Sequence, residues 1–226
     1  CKTYSDYKDL GAAQAEIFFL ENSRPAAEDT ARRLERDAVY LPYSYDIFEI
    51  RSLLETAAKR FGATLPDCDM YEKKIANKAR QLKDALRGMG VAVDCSATPR
   101  PLSLARFLLT HDIDVFAVYL DAVDRADEAD FYFLKEHYPR LSLRSTMHYK
   151  RRLLPRDEVQ RHGPVLAVGQ KAAYFTGTKH FVNLIENSGL YGYTGLLKLM
   201  DMMILGAGTE QDVQSLIQIK AWGCRA

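Results

Sequence analysis

"VLAVGQKAAYFTGTKHFVNL", residues 165–184, is the stretch on which the fold turns. Val165–Val168 is a short apolar run with no polar alternation, as expected of a strand covered on both faces. Gly169 breaks it, residues 171–175 read as a short helix, and Phe181–Leu184 reads as a second strand. Parallel neighbours need such a crossover, because a tight turn joins only antiparallel strands.

The same alternation extends outward. Residues 17–20, 38–41, 91–93, 115–120 and 142–144 read as further strands. Helical patterns occupy 25–36, 46–61, 69–87, 102–109 and 126–137, and two more helices are expected at roughly 194–205 and 209–220. Asp46 with Glu49 three residues on has the spacing of a capping box, and Gly62 and Gly88 stand where helices should stop. The pattern predicts an α/β protein of Rossmann-like open parallel sheets flanked by helices. Residues 1–88 are expected to form a partial α/β unit with linking helices, and 89–226 a Rossmann-like α/β domain with C-terminal helices.

Composition narrows the function classes. The chain has 226 residues, is 47% hydrophobic and 27% charged, and carries a formal net charge of +1. That supports a sizeable core and supplies no basic excess for nucleic acid. No apolar run is long enough for a membrane helix, and no secretory signal is visible. Cys1, Cys68, Cys95 and Cys224 form no CxxC pair. Reduced thiols and a cytoplasmic setting are therefore expected, with the role of each cysteine left open. A first residue of Cys, not Met, leads us to expect a portion of a longer polypeptide.

Ligands of open parallel sheets bind beyond the carboxyl ends of the strands, so the loops there hold the candidates. Arg100 sits in "SATPRPLS", where two prolines stiffen the loop; it either aims its guanidinium at an anion or is a solvated helix-entry residue. Lys171 follows Gly169 at a helix start, where charge and amides favour an anion, or is an ordinary surface lysine. Tyr191 and Tyr193, in the Gly-framed "NSGLYGYTG", suit a pocket lid, a subunit contact or simple packing. His148 and His180 stand at strand ends without a second metal ligand at suitable spacing. GxGxxG, the Walker loop, HExxH and GxSxG are all absent.

Taken in order, "AVYLPYSYDIFEIRSLLETAAKRFG" (38–62), "VAVDCSATPRPLSLARFL" (91–108) and the continuation of the opening stretch to Gly195 resemble the C-terminal half of nitrogenase component 1 subunits. That family includes nitrogenase-like reductases and cofactor-assembly scaffolds. The resemblance implies Rossmann-like domains around a metal-cluster or substrate cavity, with Arg100, Gly169 and Lys171 on its wall. The family's cofactor-ligating Cys position falls near Asn22 or Ser23, and its His position near Leu190 or Tyr191. Both soft ligands are thus missing, which argues against a nitrogenase cofactor held in the usual manner. Ser23 and Tyr191 remain candidates for contact with an occupant.

The implied role is the C-terminal portion of a nitrogenase-like reductase subunit. It would pair with a homologous component 1 subunit and receive low-potential electrons from an ATP-hydrolysing iron protein. An iron–sulfur or other metal cluster is expected in the intact protein, and the portion alone is expected to be inactive. The alternative is a non-catalytic assembly scaffold or carrier for an anionic metal cluster.

Overall fold

The computed structural model describes residues 2–149, 163–213 and 215. The chain forms two compact units, one of Cys1–Tyr43 with Ser52–Thr64 and one of Ser44–Arg51 with Leu65–Ala226.

In the smaller unit, α1 (Tyr4–Asp9) precedes a two-stranded parallel sheet of β1 (Ala15–Phe18) and β2 (Asp37–Tyr40). The crossover is α2 (Arg24–Arg33), with Pro25 in its first turn, where a missing N–H costs nothing. Phe18 stacks on Tyr40 at 5.0 Å, and the Arg24 guanidinium lies over both rings. Glu35, at φ 51°, turns the chain out of the helix before the expected end at Arg36. Helix α3 (Ile47–Phe61) belongs to this unit from Ser52 onward. Asp46 caps it by accepting from the Phe48 and Glu49 amides, whereas the Glu49 carboxylate takes the Ser44 hydroxyl at 2.5 Å.

The larger unit is a five-stranded parallel sheet. Its elements are α4 (Cys68–Ala85), β3 (Gly90–Asp94), α5 (Pro101–Thr110), β4 (Val115–Leu120), α6 (Glu128–His137), β5 (Ser142–Ser145), β6 (Val165–Val168), α7 (Gln170–Thr176), β7 (His180–Val182) and α8 (Gly192–Gly208). The strand order is β5-β4-β3-β6-β7, every pairing parallel. Strands β3, β4 and β6 are buried at every position, which is why their sequences are apolar but for Asp94 at the end of β3 and the Tyr119 hydroxyl of β4.

Register separates the two faces. Ala117, Ala92, Ala167 and Phe181 lie in one row across four strands and pack with Ala172 and Ala173 of α7. The next row is Val118, Val93, Val168 and Val182. Gly206 of α8 comes against this face, and a Cβ there would touch Leu166 and Val182 at 3.2–3.3 Å. Helices α4 and α8 pack together, and Ile75, Ala79 and Leu82 of the first and Leu196, Leu199 and Met203 of the second are buried.

Strands 115–120 and 165–168 stand where the sequence reading put them. The second strand of the opening stretch covers 180–182, shorter than expected because Leu184 turns back and donates to the Val182 carbonyl. Half of the helix expected at 209–220 lies outside the described residues, and residues 209–212 are not helical. Among the described residues, no helix is long and apolar enough to cross a membrane.

Candidate functional site

From β3 the chain winds through α5, β4 and α6 to one edge of the sheet; from β6 it winds through α7 to the other. The reversal lies between β3 and β6, the place in an open parallel sheet where the outgoing loops part and ligands bind. Asp94 ends β3 and Gly169 follows β6. The Asp94 carboxylate is fully buried. It accepts from the Ser96 amide (2.6 Å), the Ser96 hydroxyl (2.5 Å), the Ala97 amide (3.2 Å) and, across the crevice, the Ala172 amide of α7 (2.5 Å). Burial pushes its pKa up, against the pull of these donors. Gly169 has φ 106° and ψ 161°, a region essentially restricted to glycine. A Cβ here would lie 2.5 Å from Asp94 Cγ. The anion expected at the start of this helix is therefore supplied, at the Ala172 amide, from within the chain.

Lys171 stands beside this floor. Its Nζ lies 2.9 and 3.0 Å from the two Asp121 carboxylate oxygens, 3.4 Å from Thr146 Oγ1 and 3.6 Å from Cys95 Sγ. Cys95 follows β3, Asp121 follows β4 and Thr146 follows β5, so four strand ends meet at one ammonium. The Thr146 hydroxyl also donates to Asp121. Burial works against the charged lysine, yet the Asp121 carboxylate holds its pKa above the ordinary value. Burial pushes the Cys95 thiol up, and the nearby ammonium offsets only part of this. Cys95 is thus kept as a neutral thiol.

Arg100 occupies a different setting. It is 7% exposed; its Nε donates to Asp127 at 2.7 Å and its Nη2 to Asp130 at 3.0 Å. Arg106 donates to the other Asp130 oxygen at 3.1 Å, and Glu49 lies 3.9 Å from Arg100 Nη1. Burial would lower the arginine's pKa, but Asp127 and Glu49 more than compensate. Burial drives Asp127 up to about 6 despite Arg100. The stiff loop does aim the guanidinium at anions, and those anions are two carboxylates, Asp127 just before α6 and Asp130 within it.

The loop after β7 is tied to the loop after β3. Glu186, Asn187 and Ser188 have φ of 44°, 60° and 44°, followed by Gly189 at 77°. The Glu186 amide donates to the Ser96 carbonyl and the Asn187 amide to the Ala97 carbonyl. Buried Asn187 accepts the Tyr45 hydroxyl at 2.6 Å, and Tyr45 also reaches Thr98 at 2.9 Å. Three consecutive non-glycine residues in the left-handed region need this bracing, since such conformations persist only when their surroundings enforce them.

Tyr191 is half-buried at the N-cap of α8. Tyr193 is in the helix, not in a loop: it is buried, stacks on Tyr71 at 5.8 Å and donates to Glu72 at 2.7 Å. Ser23 lies in the smaller unit before α2 and makes no side-chain cap bond. His148 is exposed and stacks on Tyr149, while His180 Nδ1 is 3.2 Å from the Gly206 carbonyl. Among the described residues no three His, Cys, Asp or Glu side chains are grouped as a metal ion requires. Among the described residues the strand ends around Lys171 offer one thiol, Cys95, which alone is fewer soft ligands than the shell of a metal cluster requires. Cys1 and Cys224 lie outside the described residues.

Asp94, Asp121, Thr146, Asp127 and Asp130 are the partners that residue-by-residue reading left unassigned. A signal existed for two: Asp94 is the polar end of a wholly apolar strand, and Asp121 holds the equivalent place after β4.

No family model matches this chain, and no curated protein matches it. Among solved structures, nitrogenase Cp1 at pH 6.5 superimposes with a TM-score of 0.60 at 13% sequence identity, over 97% of this chain and 49% of that one. The likeness at that identity is one of fold, and the chain spans about half the length of the structure it matches.

Proposed function

We propose that this chain is the C-terminal portion of a nitrogenase-like component 1 reductase subunit, and that the ends of β3, β4, β5 and β6 form one wall of its substrate or cluster cavity. The observation that carries the reading is the meeting of four strand ends at the Lys171 ammonium. Open parallel sheets place ligands at this position, and the fold is that of nitrogenase Cp1. The chain's own residues supply charge and shape there, not ligation. Lys171 offers a cation to an occupant, Thr146 and Asp121 orient it, and Gly169 lets the β6–α7 turn seat on Asp94. Any cluster is held by residues beyond those described. Low-potential electrons come from an ATP-hydrolysing iron protein, and a homologous component 1 subunit completes the assembly, in the cytoplasm.

Arg100 takes a supporting role in this reading: it fixes the loop after β3 to α6 and leaves Lys171 as the occupant-facing cation. Tyr191 is a proposed contact of the same cavity. The test is anaerobic expression of the intact polypeptide with assay of iron, acid-labile sulfide, visible absorption and reduction by the iron protein. A coloured, iron-containing protein that accepts electrons, and that loses occupant binding in Lys171→Ala, supports the proposal. A colourless, iron-free intact protein refutes it.

A further inference from the structure

We propose that Asp121 is an internal counter-ion for Lys171, so that an anionic occupant gains the lysine only by displacing the Asp121 carboxylate. This rests on the reading that Lys171 faces the cavity. Two ion-pair clusters at the same end of the sheet differ in a way that bears on it. The side chains of Arg100, Asp127 and Asp130 are 9%, 5% and 5% exposed, so that cluster is sealed. Those of Lys171 and Asp121 are 37% and 46% exposed, so solvent and solutes reach the pair. Exposed pairs are weak and exchange partners readily. Asp121 is not adrift, however. The Thr146 hydroxyl holds its carboxylate, and the Thr146 amide donates to the Leu120 carbonyl at 3.0 Å, continuing the β4–β5 ladder. The carboxylate therefore returns to one position when the site empties. At rest, among the described residues, the Lys171 ammonium is matched by the Asp121 carboxylate. Discrimination follows, because a neutral solute gains nothing from Lys171 while Asp121 holds it.

The experiment uses the full 226-residue chain. Inorganic phosphate is titrated calorimetrically at low salt into wild type, Asp121→Asn, Lys171→Ala and Thr146→Val, each checked by circular dichroism for an intact fold. In parallel, acetic anhydride labelling of Lys171 is followed by peptide mass spectrometry. Asp121→Asn is expected to tighten phosphate binding roughly three- to tenfold and to let phosphate protect Lys171 from acetylation. Thr146→Val, which loosens Asp121 without changing any charge, moves both readouts the same way by less. If Lys171→Ala abolishes binding while Asp121→Asn and Thr146→Val bind as wild type does, the counter-ion is refuted and the occupant-facing lysine survives. If phosphate binds no variant, or binds Lys171→Ala as well as wild type, the cavity reading itself fails.

Discussion

Replacing Gly169 with alanine tests the crevice floor, because two separate penalties act on one methyl group. The backbone at φ 106° and ψ 161° is a glycine region, and holding another residue there costs on the order of 1–3 kcal/mol. The added Cβ would also sit 2.5 Å from Asp94 Cγ, inside van der Waals contact. The carboxylate cannot yield freely, since it is fully buried and four donors converge on it. Hydrogen bonds to a charged group contribute roughly 1.5–3 kcal/mol each, so weakening even one adds a comparable amount. The expected loss is about 3–5 kcal/mol, or a fall in Tm of roughly 6–20 °C for a domain of this size. Urea unfolding followed by far-UV circular dichroism measures it. A double-mutant cycle with Asp94→Ala then divides the total: removing the carboxylate should cancel the steric part and leave the dihedral part, a coupling of about 1–3 kcal/mol. A Gly169→Ala loss below about 1 kcal/mol, or strict additivity in the cycle, would show that the turn does not rest on Asp94.

Three further outcomes follow from the same contacts. Arg100→Met should cost about 3–5 kcal/mol in urea unfolding, because Asp127 stays buried without its cation; Arg100→Lys should recover only part of that, having no fork to span Asp127 and Asp130. Asp127 is raised from 3.8 to about 6 on folding, so the folded state binds its proton more tightly than the unfolded state does. This group's contribution to stability therefore falls as pH rises from about 4 to 6, and Asp127→Asn should remove that slope from a stability–pH series. Tyr193→Phe should lose about 1–2 kcal/mol with the Glu72 bond while keeping the Tyr71 stack, and a loss near zero would mean that Glu72 is satisfied by Arg51 alone.

The fold was readable where burial is symmetric and the site was not, for one physical reason. Val115–Leu120 and Val165–Val168 announce themselves because a strand covered on both faces must be apolar at every position, a demand that a single residue run can display. Gly169 was readable in the same way, since one residue type satisfies its backbone. Charge pairing is different in kind. Arg100 and Lys171 each looked available to an external anion, because a cation's sequence neighbours do not reveal its spatial ones. Arg100 meets residues 127 and 130, and Lys171 meets residue 121, and each contact exists only once β3, β4 and β6 lie side by side. A basic residue at a strand end is thus weak evidence for a ligand until the acidic residues at the adjoining strand ends have been counted against it. Here that count separates the two cations. Arg100 is matched by buried carboxylates that cannot leave without stranding charge in the interior. Lys171 is matched by one half-exposed carboxylate that can swing into water. On that count Lys171, not Arg100, is the cation whose partner an external anion can replace.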